Sequence, residues 1–548
     1  MVFEHRLCMG LVFSVCVSGC ATSVPRYPLR GPLTRDADQQ PFSPAPREYV
    51  SPFVWDGADQ LLFRPVSRAL AVDPAGRARN VNAYDEVANS SWFENRIGSG
   101  PLSASELGSG PCAEQVLDVN MPAASWVIDR GKPNGANPGF RVNIPGVGKF
   151  MLKADTEAEP QRATGATAIA ARLYYAAGYH APCDSVVYFD PSLLRLTPGL
   201  QVTDNTGVAR PFDEAALQAL LAKASRRDGL VRMGASRWLP GKPLGPSRYE
   251  GTRDDDPNDV VAHEDRRELR GARLLAAWLN HFDSREQNSM DVFISVPTAS
   301  GKEWGYVRHY VLDLGDCFGS AWESETLTRR LGHAYYFDFE YAARDLVTFG
   351  MVQRPWERAA RDGGIFNYFS ARDFDPEAWR GGYPNPAFGR MTEADGAWMA
   401  RIIARFDESL IAAAVSAGKY DADSSAYLTR TLIARRSRIL QRYLTRLSSW
   451  SDLQVKGRQL CGVDLAARTG IAQRAHAPRA RVLTEESEIA AVVHADQRGT
   501  VCVELPLTAA TQAYRVLEVD TGTSQQPLRA YVYDFGERGL RLAGVERE

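Results

Sequence analysis

Apolar residues recur along this chain at two different periods. In 125–129, 140–144 and 149–153 they fall at every second position, the period of a strand that buries one face, so three strands are predicted. Glycine-bearing turns at 131–139 and 145–148 separate them. From 163 to 178 the period lengthens: Ile169, Leu173, Ala176 and Ala177 fall on or near one helical face, and Gly178 suits the cap that ends it. A strand at 186–189, a helix at 212–224, a strand at 231–240 and a long helix at 262–281 follow. The acidic loop 254–259 precedes that last helix, and Asn258 or Asp259 is expected to cap it, in preference to a cation site built from the same oxygens. Arg266, Arg267 and Arg270 are expected on a charged helix face, paired with Glu264 and Glu268.

Two further strands are predicted at 290–296 and 305–312, with Ser300 and Gly301 in the turn between them. Helical spacing returns at 339–349, 392–417 and 424–447. Between these, Trp356, Phe366, Tyr368, Phe369, Phe374, Trp379 and Tyr383 lie in Gly- and Pro-rich loops and suit either a substrate platform or the packing of long loops. From 481 onward, six short strands (481–483, 489–494, 501–505, 514–519, 529–533 and 540–545) predict a small β-sandwich-like unit. In the broken segment near the N-terminus, Trp92 and Phe93 are expected to pack an extension onto its neighbour. The fold class is therefore α+β.

At 548 residues the chain exceeds one compact core, and two or three domains are expected. Composition shifts divide it into a tether at 20–52, an extension at 53–120, a β-rich unit at 121–240, a helical unit at 241–470 and the β unit at 480–548. A formal net charge of -2 gives no electrostatic reason to expect nucleic acid as a partner. Beyond the first twenty residues, Cys112, Cys183, Cys317, Cys461 and Cys502 are widely scattered, without zinc-type spacing, and predict no disulfide framework.

The first twenty residues carry an apolar run at 7–17, short for a membrane span, that ends in Val17-Ser18-Gly19-Cys20. This ending resembles a bacterial lipobox. The resemblance implies a signal peptide at 1–19, acyl chains such as palmitate on Cys20, the lipid bilayer as a partner, and a lipid-anchored place in the bacterial cell envelope, at the outer membrane.

Candidate chemistry lies at 280–315. His281, Asp283 and Asn288 are followed, after the predicted hairpin, by Asp313-Leu314-Gly315. Phosphoryl transfer uses an acidic residue to orient the attacking hydroxyl, and an amide oxygen with a second carboxylate to hold Mg²⁺ on the phosphates. A hairpin brings the ends of the 25-residue separation from Asn288 to Asp313 back together. The order H-x-D-x-x-x-x-N and D-x-G, with a strand ending in Lys153 upstream, resembles the atypical branches of the protein-kinase-like superfamily, the HipA-like, CotH-like and phosphatidylinositol-kinase-like enzymes.

Over 125–447 the resemblance implies a bilobal core, with a β-rich N-lobe and a helical C-lobe. It implies ATP held by Lys153 and by backbone around Gly135 and Gly139, Mg²⁺ (or Mn²⁺) on Asn288 and Asp313, Asp283 as the catalytic acid–base group, and His281 supporting its loop. One position departs from the pattern: Thr167 stands where the helix glutamate that pairs with the strand lysine is expected. Either Glu157 or Glu159 supplies that carboxylate, or Lys153 is unpaired.

The implied activity is an ATP- and Mg²⁺-dependent phosphotransferase with an unknown hydroxyl acceptor. The alternative is an inactive pseudokinase-fold lipoprotein that binds or scaffolds another envelope protein. No G-x-S-x-G or H-E-x-x-H supports a hydrolase. A literal Asp534-Phe535-Gly536 lies between two predicted strands and is expected to be only a hairpin turn.

Overall fold

The computed structural model describes residues 25–29, 38, 44–51, 53–70, 76–113, 116–121, 126–132, 137–155, 157, 159–203, 208–297, 303–320, 324–483, 488–507 and 512–547. Cys20, Gly135 and the turn residues Ser300 and Gly301 lie outside the described residues. The chain is mixed α+β with several sheets.

The first sheet contains β1 (Trp126–Gly131), β2 (Gly139–Ile144), β3 (Gly148–Lys153), β4 (Asp184–Phe189), β5 (Leu194–Leu196) and β6 (Leu230–Arg237), in the order β4-β6-β3-β2-β1-β5. Two helices interrupt the strands, α1 (Arg162–Ala177) and α2 (Glu214–Lys223). The period-two pattern does what it predicts. Ile128, Val142, Phe150 and Leu152 point into a small core closed by Leu217 and Leu221 of α2, and their alternates, including Met151 and Lys153, face the other way.

Helix α1 joins a larger core. Ile169 and Leu173 pack with Trp278 from α3 (Arg267–Leu279) and with helices from the C-terminal half. At its end Gly178 adopts φ 127, and a Cβ there would strike the Phe93 ring; glycine is required on both counts. Trp92 stacks on His309 at 3.5 Å and Phe93 is fully buried, as expected of an extension that packs. Trp356, Phe366, Phe369, Phe374 and Trp379 are likewise buried as loop packing.

Several expectations need correction. Helix α3 begins at Arg267, and Asp259, expected to cap it, instead lies 2.8 Å from His263 Nε2 and accepts from Arg266 at 3.2 Å. Arg266, Arg267 and Arg270 do not form a surface face: all three are fully buried. Arg267 donates to Asp85 at 2.6 Å and to Asp395 at 3.2 Å, and Arg270 to Asp265 at 2.5 Å. Arg266 does lie 3.4 Å from Glu268, as expected of that pair; a buried guanidinium is tolerated only with such partners, and local spacing cannot show Asp85 and Asp395, which arrive from distant segments.

After α4 (Phe339–Thr348), the expected single helix 392–417 is two, α5 (Glu393–Ile403) and α6 (Glu408–Ser416), followed by α7 (Ala422–Tyr443). Asp407 causes the break: its side chain accepts from Leu410 N at 2.8 Å and starts a new helix. Among the described residues no helix is long and apolar enough to cross a membrane.

A second sheet pairs β7 (Lys242–Gly245), β8 (Ser289–Val296) and β9 (Trp304–Val311). The C-terminal sheet has eight strands, β10 (Trp450–Lys456), β11 (Gln459–Asp464), β12 (Arg479–Leu483), β13 (Glu488–Ala495), β14 (Thr500–Glu504), β15 (Ala513–Asp520), β16 (Leu528–Asp534) and β17 (Leu540–Glu546). Their order is β10-β11-β14-β13-β12-β15-β16-β17, one antiparallel sheet curled nearly into a barrel around Leu460, Val482, Val503, Leu517 and Val532. It is not a two-sheet sandwich, and it begins at Trp450. Its first two strands escaped notice because β10 alternates weakly, with a charged Asp452 in a left-handed bend. Asp534 ends β16 and accepts from Arg458 and Arg515, so the literal D-F-G is a hairpin turn as expected.

Cys112 pairs with Cys183, and Cys461 with Cys502 across the β11–β14 register, while Cys317 is free and buried. The scattered spacing hid both disulfides, because the two members of each pair meet only in the fold.

Part of the expected tether is docked. Tyr27 donates its N–H to the Tyr514 hydroxyl at 3.0 Å and accepts from Tyr533 at 2.8 Å, with its ring 5.0 Å from that of Tyr531. A Cβ at residue 544 would fill the slot its ring occupies; the residue there is Gly544.

Candidate active site

A cavity of about 270 Å³ lies where the open face of the first sheet meets α1 and the β8–β9 hairpin. Lys153, Asp184 and Ser236 approach it from the sheet, Thr167 from α1, and Asn288 and Asp313 from the ends of the hairpin. Leu312 N–H donates to Asn288 O at 2.8 Å, which ties those ends together.

Asp313 follows β9 in the left-handed region, φ 50 and ψ 52. Its Oδ1 accepts from Lys153 Nζ at 2.6 Å, joining sheet to hairpin. The ammonium beside it holds the Asp313 carboxyl down to about 2. Lys132, in the turn before β2, donates to Asn137 O at 2.7 Å; burial and the neighbouring Lys153 lower it to about 8.

Asn288 Nδ2 donates to both the carbonyl and the Oδ2 of Asp283, at 2.7 and 2.9 Å. With its N–H groups spent there, the amide oxygen is the part of this side chain able to accept a donor or a cation. Arg285 Nε lies 3.1 Å from Asp283 Oδ1, and Asp283 N–H donates to Asp316 Oδ2 at 2.8 Å. Burial raises both the Asp283 and the Asp316 carboxyls.

His281 is fully buried, and burial holds it neutral, down to about 4. The Tyr174 hydroxyl lies 2.8 Å from its Nδ1, and burial pushes that phenol up, so it stays protonated. The imidazole Nε2 lies 3.5 Å from Asp316 Oδ1, with no hydrogen bond formed between them. The His281 hydrogen bond with Tyr174 ties this loop to α1.

Lys153, Asn288 and Asp313 meet in this cavity, and Asp283 is bonded to Asn288 beside it. Gly139 stands opposite Lys153 in the β2–β3 register, where a Cβ would strike Leu152 O. Thr167 offers no carboxylate, and its Oγ1 donates to Ala163 O at 3.0 Å. Glu159 is engaged by Arg162 at 2.6 Å and by Asn367. Lys153 is nevertheless paired, through Asp313.

Sequence reasoning passed over Asp316, Lys132, Tyr174 and Asp184. Asp316 directly follows Asp313-Leu314-Gly315 and could have been flagged, whereas Asp184 carries no signal beyond its place at the start of a strand. Asp184 is 2% exposed, and its Oδ1 has no hydrogen-bond partner. Burial raises its carboxyl from 3.8 to about 7, against the Ser236 hydroxyl and Lys153.

The folded chain therefore holds a proton on Asp184 that the unfolded chain has lost between about pH 4 and 7, and stability falls as pH rises through that window. Asp184→Asn is expected to be more stable than wild type above pH 7, by up to about 4 kcal/mol, with no difference below pH 4. Denaturant titrations at pH 4, 6 and 8 check this. A variant less stable than wild type at pH 8 contradicts it.

Among the described residues no group of three or more His, Cys, Asp or Glu is gathered as a cation site. A Mg²⁺ ion delivered with phosphates needs fewer protein ligands, one or two carboxylates or amide oxygens with water completing the shell. Asp313 and Asn288 meet that requirement, and the Lys153 ammonium already takes a cation's place on Asp313. Against models of known families, curated proteins and solved structures, the chain matches none.

Proposed function

We propose that this chain is a phosphotransferase of the protein-kinase-like kind, using ATP and Mg²⁺ or Mn²⁺ to phosphorylate a hydroxyl acceptor, on a lipoprotein anchored through Cys20 in a bacterial envelope. The first sheet is read as the N-lobe and the helices from α3 onward as the C-lobe. The observation that carries this reading is the Lys153–Asp313 contact across a cavity that also holds Asn288.

In this reading Lys153 and Lys132 receive the negative charge of the nucleotide phosphates, and the backbone at Gly139 permits close approach. Asp313 and the Asn288 amide oxygen hold the metal ion, whose chemistry is to neutralise charge on the phosphates. Asp283, fixed by Asn288 and Asp316, accepts the acceptor hydroxyl's proton; its raised carboxyl makes it a better base than an exposed aspartate. Arg285 keeps that carboxylate aimed.

One observation favours the competing scaffold reading: Thr167 stands on α1 in place of the expected glutamate. Titrating ATP into the chain from Thr22 onward, with Mg²⁺, with Mn²⁺ and with chelator, separates the two. Metal-dependent binding is expected. No binding at millimolar ATP would sink the catalytic reading and leave the scaffold.

A further inference from the structure

We propose that Asp184 on β4, and no residue of α1, is the second carboxylate partner of Lys153, receiving its ammonium when Asp313 turns to a metal ion. This rests on the phosphotransferase reading above. In the β3–β6–β4 register Lys153 stands opposite Gly234, and Asp184 opposite Ser236. Paired residues share a face, as do residues two apart along a strand. Lys153 and Asp184 therefore face the same cavity, with Gly234 presenting no side chain between them. The carboxylates that line this cavity, among the described residues, are Asp313 and Asp184.

Asp184 is held in place from behind. Arg172 Nη1 donates to its carbonyl at 2.9 Å, Arg237 N–H donates to Cys183 O at 2.9 Å, and Cys183 is disulfide-bonded to Cys112 of the N-terminal extension. Its Oδ1 is nonetheless unpartnered and buried. A fixed, buried acceptor with an empty bonding position suits an incoming donor. Lys153, long and flexible, turns between Asp313 on the hairpin and Asp184 on the sheet, so it stays paired whichever ligand Asp313 holds.

Site-resolved acylation of Lys153, read by peptide mass spectrometry without nucleotide, tests the pair. An amine with a carboxylate partner labels slowly. Wild type, Asp184→Asn and Asp313→Asn are expected to label slowly, since one partner remains in each, and the double variant about tenfold faster or more. Asp313→Asn labelling as fast as the double variant would overturn the proposal, as would a double variant no faster than wild type. Thermal melts of all four proteins separate this from unfolding.

A second arm measures nucleotide. Asp184→Asn is expected to weaken metal-dependent ATP binding about tenfold while leaving metal-free binding unchanged; unchanged metal-dependent binding overturns the handover. Failure of wild type to bind ATP removes the phosphotransferase reading and the handover with it. The labelling cycle still reports on the pair, so the two failures are told apart.

Discussion

Asp313→Asn is expected to weaken metal-dependent ATP binding about 100-fold or more and leave the melting temperature nearly unchanged. The substitution isolates charge from conformation. Asp313 sits in the left-handed region, which asparagine tolerates as well as aspartate, so the backbone after β9 needs no rearrangement. What is lost is the anion that faces Lys153 at 2.6 Å, which the proposed reading makes the carboxylate ligand of the metal ion. Metal-free ATP affinity should hold, because Lys153 keeps a carboxylate partner in Asp184. Calorimetric titrations with Mg²⁺ and with chelator distinguish these terms. Equal metal-dependent affinity in variant and wild type would remove Asp313 from the site.

The second large effect is on stability. Asp85→Ala is expected to cost about 4 kcal/mol or more, because it removes a buried carboxylate that Arg547 and Arg267 share, and Arg267 keeps only Asp395. Asp85 is 4% exposed and accepts from Arg267 at 2.6 Å and Arg547 at 3.0 Å, with Arg401 at 3.6 Å. These come from α3, the C-terminal end and α5, so one aspartate in the N-terminal extension joins three parts of the molecule. Burial would raise its carboxyl, but Arg267, Arg547 and Arg401 bring it down to about 2. Its contribution is therefore complete above about pH 4 and fades as pH falls toward 2. Denaturation at pH 7 should show the deficit, and measurements from pH 4 to 2 should show it closing. The near-barrel is expected to melt as a separate step in the variant, since Arg547 also donates to Trp450 O at 3.0 Å. A single unaltered transition would contradict this role.

The local periods foretold local elements well. The strands ending at Ile144 and Lys153, the cap at Gly178 and the β8–β9 hairpin all follow from side chains that choose a face within a few residues. The order His281, Asp283, Asn288, Asp313 was legible for the same reason: a hairpin returns its ends to one place. What escaped was long-range. Arg267 reads as a surface residue until Asp85 and Asp395 arrive, Cys112 has no partner until β4 is placed, and Asp184 joins Lys153 in the cavity only through the pairing of β4 with β6. Thr167 offers no carboxylate, and its hydroxyl is bonded to Ala163 O. The remedy was sought in Glu157 or Glu159, because sequence offers neighbours along the chain and not across the sheet.

Tyr27 changes what an anchor at Cys20 would mean. Its ring lies in the slot over Gly544, and Cys20 is seven residues upstream. That leash reaches about 25 Å at full stretch. With acyl chains on Cys20, that leash would keep the near-barrel within about 25 Å of the bilayer, a smaller volume than a spacer of thirty residues would sweep. On the proposed reading, an acceptor farther from the bilayer than that would be reached only with the Tyr27 latch open.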